Sequence, residues 1–192
     1  AESGHISRSE QAHCRPLGDY RAGGDDVAIY HYSIVSPATA VFLASTARKI
    51  VLYHNITPAD YFVGYDDGLA ARLEAARRNL ADVIRAGNAV WADSRYNAME
   101  IEALGFKSVN VFPLLFSPKP LDVPPDPRVV RHLKSPRTTL LFVGRIAPNK
   151  RVEDLITAFA WYQKRLNPFS RLLIVGSEWS CPSTASLSLS GQ

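Results

Sequence analysis

From Val27 onward the chain alternates short apolar runs with segments of helical period, and this alternation constrains its fold more than any other feature. VAIYHY (27–32), KIVLYH (49–54), AVWAD (89–93) and VNVFPL (109–114) read as strands. PATAVFLASTA (37–47) reads as a helix opened by proline, whose fixed φ and missing N–H suit a first turn. In 69–85, Leu69, Leu73, Ala76, Leu80, Val83 and Ile84 recur three and four apart, which is one face of a helix, and Gly87 ends it. Ser94 stands where a cap for a helix through Leu104 is needed, and Gly105 supplies the turn after it. Strands and helices in this order are βαβ units around a parallel sheet, an α/β class.

The alternation breaks once. Six prolines fall within 117–137 with little periodic apolar signal, which reads as a connection between domains. It then resumes with TTLLFVG (138–144) as strand and 152–166 as helix, with Val152, Leu155, Ile156, Phe159 and Ala160 on one face, followed by RLLIVG (171–176) as strand. The expected domains are therefore 1–116, with a polar, aperiodic stretch before Val27, and 138–192, the start of a second α/β domain. A helix is due after Gly176, but PSTASLSLSGQ (182–192) is serine-rich and has no helical stripe, so it is expected to be poorly ordered.

Composition excludes several classes. The 192 residues are 46% hydrophobic, enough for a core, and no stretch of the roughly 18 apolar residues needed to span a bilayer occurs. The first residues, AESGHISRSEQ, lack the basic-then-apolar order of a secretion signal, so a soluble, cytoplasmic protein is expected. A formal charge of +4 is too small for a nucleic-acid footprint unless it is clustered, and the densest basic pairs, Arg77 with Arg78 and Lys150 with Arg151, are short. Arg77 and Arg78 read as a solvated helix face. Cys14 and Cys181 are far apart with no CxxC companion, and the five histidines show no metal-ligand spacing, so no metal is expected.

In open parallel sheets ligands bind beyond the carboxyl ends of the strands, and that rule selects His31, His54, Ser94, Arg145 and Ser177. Arg145 follows a strand and Lys150 precedes a helix, so both can face an anion that also meets free backbone N–H groups. Gly144 permits the turn and Pro148 restricts the loop between them. Solvated cations at a strand end are the alternative. GRIAPNKR lacks the second glycine and the Ser or Thr of a P-loop, and GxGxxG is absent, which argues against a nucleoside triphosphatase and a dinucleotide dehydrogenase. His54, in YHNITP, can donate to a phosphate or sugar hydroxyl, with Asn55 beside it, or it can merely cap its own loop. Ser94 is either a contact for the acceptor or phosphate, or only a helix cap.

GRIAPNKRVEDLITAF, RLLIVGS, YHNITP and ADSRYNAMEIEALGF together resemble the retaining GT-B glycosyltransferases of family four, over about 27–177. The resemblance implies two Rossmann-like domains, both incomplete in this chain. The nucleotide-diphosphate sugar would sit on the C-terminal one and a saccharide or lipid-linked acceptor on the N-terminal one. It implies that Gly144, Arg145 and Lys150 hold the donor diphosphate and stabilise it as leaving group, in place of a metal, and that His54 is the catalytic histidine near the transferred sugar. No cofactor and no nucleic-acid partner are implied, while peripheral contact with the inner face of a membrane stays open.

Two elements of the family pattern are missing from the sequence: a glycine-rich loop after the first strand, and a pair of glutamates eight positions apart late in the C-terminal domain. The expectation is a fragment of about half an enzyme, marginally stable because its last two strands have open edges, with negligible turnover of its own. A non-catalytic nucleotide-sugar or anion-binding module of the same fold is the alternative, and a sugar-nucleotide epimerase is a third reading.

Overall fold

The computed structural model describes residues 11–116 and 122–178. They fall into two compact units, the first comprising 11–59 and 71–114 and the second 60–70, 115–116 and 122–178. The serine-rich tail and part of the proline-rich connection lie outside the described residues. Each unit is built on a parallel sheet, so the chain is a mixed α/β protein of a Rossmann-like kind.

The first unit holds four parallel strands in the order β1-β2-β3-β4: Val27–Tyr32, Arg48–Tyr53, Ala89–Ala92 and Asn110–Val111. Because sequential strands pair in parallel, each must be joined by a crossover, and the helices α1 (Pro37–Ala44), α2 (Asp67–Ala86) and α3 (Arg95–Ala103) supply it. The register sets Tyr30 beside Val51 and Tyr32 beside Tyr53, with Ala92 next across. That face takes the helices: Tyr32, Val51, Tyr53 and Ala92 are fully buried, together with Ala76, Val83, Ala98 and Ile101.

Buried hydroxyls need partners, and both core tyrosines have one. Tyr32 donates to the Ala76 carbonyl oxygen of α2 at 2.7 Å, and burial, helped by the neighbouring Tyr30, pushes its pKa up to about 12. Tyr53 donates to Glu100 Oε2 of α3 at 2.6 Å, and burial raises its pKa as well. The other carboxylate oxygen of Glu100 pairs with Arg77, whose second guanidinium nitrogen donates to the Ile56 carbonyl at 2.5 Å. Arg77 thus clamps the loop after β2 to two helices. Among the described residues Arg78 makes only an exposed pair with Glu74 one turn away, so the solvated-face reading holds for Arg78 and not for Arg77.

The second unit pairs β5 (Thr138–Val143) with β6 (Ser170–Val175) in parallel, connected through α5 (Val152–Arg165). Most element boundaries fall within two residues of the sequence reading, and the ends of α1 and β4 differ by more. α1 stops at Ala44 because Ser45 turns to extended backbone, where its hydroxyl meets Tyr20 and the Ala47 N–H. β4 is two residues long, since Pro113 has no N–H to continue a ladder. The connection read as 117–137 contains a helix, α4 (Pro127–Leu133): Asp126 accepts the Arg128 N–H at 2.7 Å as its cap, and Pro127 occupies the first turn. Arg171 holds that helix to the sheet, donating to the His132 and Leu133 carbonyls and to Thr139 Oγ1.

Candidate functional site

Side chains alternate along a strand, so His31, Leu52 and Trp91 share the sheet face opposite the helices, and the register sets His31 beside Leu52 and Leu52 beside Trp91. The ladder continues past the strand ends, with the His54 N–H on the Tyr32 carbonyl at 2.9 Å and the Asp93 N–H on the Tyr53 carbonyl at 3.2 Å. The same alternation therefore brings His54 and Asp93 to the face of His31, at the carboxyl ends of three adjacent strands.

There they form a chain. His54 Nδ1 lies 3.1 Å from Asp93 Oδ2, and His54 Nε2 lies 2.9 Å from His31 Nδ1, with the two rings nearly parallel. Asn97 Nδ2 donates to the other Asp93 oxygen at 2.5 Å, and the Asn97 N–H donates to Ser94 Oγ at 3.2 Å. Asn97 is buried, and among the described residues its Oδ1 has no partner. Burial first, and the proximity of His54 second, lower the His31 pKa below the ordinary imidazole value. His31 therefore favours its neutral form. Ser94 spends its oxygen as the cap of α3 and keeps its O–H to donate, while Asn55 is exposed beside His54.

Sequence reasoning had singled out His31, His54 and Ser94 separately; the structure brings them together and adds Asp93 and Asn97. Strand parity alone puts Asp93 on one face of β3, and only the parallel register of the paired strands sets it opposite His54. It went unnoticed because it closes a short run that reads as strand only.

Gly144, Arg145 and Lys150 belong to the second unit, in the loop from β5 to α5. The ladder also extends beyond this pair of strands, through the Gly144 N–H on the Val175 carbonyl and the Ile146 N–H on the Ser177 carbonyl, both 2.9 Å. Gly176 packs so closely on this loop that a Cβ there would overlap the Gly144 carbonyl. The loop backbone is thereby fixed, and Arg145 and Lys150 are exposed on it. Pro148–Lys150 forms a single 3-10 turn, and Arg151 then takes a left-handed conformation, φ 49° and ψ 49°, as the cap of α5.

The first turn of α5 carries Glu153 and Asp154. They suit the helix dipole but oppose an anion, and Arg151 offsets part of that by pairing with Asp154 at 2.6 Å. Within the same unit, Tyr61, Tyr65, Ile146, Pro148 and Arg151 line an open concavity of about 520 Å³. Among the described residues no group of His, Cys, Asp and Glu is placed to hold a metal ion, and no helix is long and apolar enough to cross a membrane. No protein-family model matches the sequence, and no curated protein matches it.

Proposed function

We propose that this chain is part of a retaining, metal-independent GT-B glycosyltransferase that moves a hexosyl group from a nucleoside-diphosphate sugar to a saccharide or lipid-linked acceptor. The observation that carries the reading is the β5–α5 loop. It leaves the carboxyl end of a parallel strand, its backbone is pinned by ladder bonds, and it presents Arg145 and Lys150 ahead of a 14-residue helix. Fixed cations and N–H dipoles at such a place stabilise charge that grows on a departing diphosphate, so they act in the transition state more than in the ground state. The acceptor belongs with the strand ends of the first unit, where the histidine chain supplies proton-handling groups. A cytoplasmic setting, with peripheral contact at the inner face of a membrane when the acceptor is a lipid, belongs to the same proposal.

The test is equilibrium binding of UDP-, GDP- and ADP-hexoses to the intact chain. Arg145→Ala and Lys150→Ala are each expected to weaken the preferred donor by about tenfold or more, the size of a lost charged hydrogen bond, and a chelator is expected to change nothing. Unchanged affinity in both variants, or strict dependence on a divalent cation, would overturn the reading. A non-catalytic nucleotide-sugar or anion-binding module of the same fold predicts the same binding. The Asp93–His54–His31 chain favours the enzyme, because binding alone does not require an imidazole oriented by a carboxylate.

A further inference from the structure

We propose that the hydroxyl of a sugar or alcohol ligand is received by His31 Nε2, and that His54 stands behind it as a positioning residue. This rests on the glycosyl-transfer reading only for the kind of hydroxyl; the direction of the hydrogen bonds follows from the side chains themselves.

A carboxylate only accepts hydrogen bonds, so Asp93 fixes the proton of His54 on Nδ1, 3.1 Å away. A neutral His54 then has a lone pair at Nε2, and that lone pair must accept the Nδ1–H of His31 at 2.9 Å. The opposite polarity would set the unprotonated Nδ1 of a neutral His54 against the carboxylate, lone pair facing lone pair. Both ring nitrogens of His54 are thus occupied by protein groups. In His31 the proton lies on Nδ1, and Nε2 is left with a lone pair that no group among the described residues hydrogen-bonds. His31 is also the exposed member, whereas the side chains of His54 and Asp93 are 21% and 16% exposed. The relay therefore opens outward at His31, as a hydrogen-bond acceptor.

Asn97 completes the support. It donates to Asp93 Oδ1 from a buried position on α3, so the carboxylate cannot rotate freely away from His54. The lowered pKa of His31 keeps the lone pair available near neutrality. When the ligand O–H bond breaks, its electron pair stays on the oxygen and its proton passes to His31 Nε2, and the positive charge of His31 is stabilised through His54 by Asp93.

Nitrogen-15 NMR of the histidines in the intact chain reads the tautomers directly. The expected pattern is Nδ1–H with a bare Nε2 on both His31 and His54. In His54→Phe, His31 loses its acceptor and is expected to shift toward the Nε2–H form that free imidazole prefers, a change that a purely structural His54 would not produce. Diethyl pyrocarbonate, which attacks unprotonated imidazole nitrogen, gives a second readout. His31 and His54 fall in separate tryptic peptides, 22–48 and 50–72. Modification is expected in the first and absent from the second, and His31→Gln is expected to abolish it.

An Nε2–H tautomer on His31 in the unaltered chain, or modification of His54 ahead of His31, overturns the proposal. Reversed tautomers with diphosphate binding intact remove this proposal alone. The expected tautomers without diphosphate binding remove the glycosyl-transfer reading and leave His31 as the open acceptor for another hydroxylic ligand.

Discussion

In the first unit Tyr32, Val51, Tyr53, Leu80, Ile84 and Ile101 are sealed between a four-stranded sheet and its helices. In the second, the two-stranded sheet leaves Leu141 61% and Val143 70% exposed, and Phe169 ahead of β6 is 75% exposed. Both units use the same βαβ grammar, so the difference is one of extent. Four strands with helices packed on one face bury enough surface to fix side chains in place, while the two strands described in the second unit, with α4 and α5, leave these side chains open. The consequence for function is that the two candidate sites are held by different means. The histidine chain rests on side-chain packing and buried hydrogen bonds, whereas the loop with Arg145 and Lys150 rests on backbone ladder bonds and the close approach of Gly176.

The largest expected effect separates the two cores directly. Leu80→Ala removes a buried side chain and is expected to cost about 2–5 kcal/mol in denaturant unfolding, while Leu141→Ala in β5 is expected to stay within about 0.5 kcal/mol. Equal costs would mean that β5 is covered in solution.

A smaller effect concerns alkaline pH. The Tyr32 pKa is pushed up to about 12 in the folded chain from about 10 when unfolded, so its contribution to stability is complete below about pH 10 and is lost as pH rises toward about 12, because only the unfolded chain ionises this group in that window. The loss is on the order of 2–3 kcal/mol, and Tyr32→Phe is expected to reduce that slope; an unchanged slope would refute the burial assigned to the hydroxyl.

Smaller still is the contrast among arginines. Arg77→Ala and Arg171→Ala each strip hydrogen bonds from backbone carbonyls and are expected to cost about 1–3 kcal/mol, whereas Arg78→Ala is expected to cost less than about 0.5 kcal/mol. If Arg171 behaves like Arg78, α4 is not anchored as the hydrogen bonds indicate.

Most of this architecture was legible in the sequence, because periodicity is written in local order. VAIYHY coincides with β1, the helix read at 69–85 lies within Asp67–Ala86, and Ser94 caps α3 as its position before the helix suggested. α4 was missed because its prolines were read as breakers, although Asp126 followed by Pro127 is also a helix start. The separate candidates at the strand ends were legible as well, but not their assembly. Parity and register join His31, His54 and Asp93, and register becomes visible only once strands are paired. Arg77 shows the same limit: its sequence neighbours are those of a solvated face, and its partners, Glu100 and Ile56, are 23 and 21 residues away.

The central claim is that a nucleoside diphosphate binds the loop between β5 and α5. The most direct measurement is a proton–nitrogen spectrum of the intact chain titrated in turn with UDP, GDP and ADP. The account expects one of them to shift the backbone amides of 144–152, with the shifts lost in Lys150→Ala. Shifts confined to other residues, or none with any of the three, would contradict it.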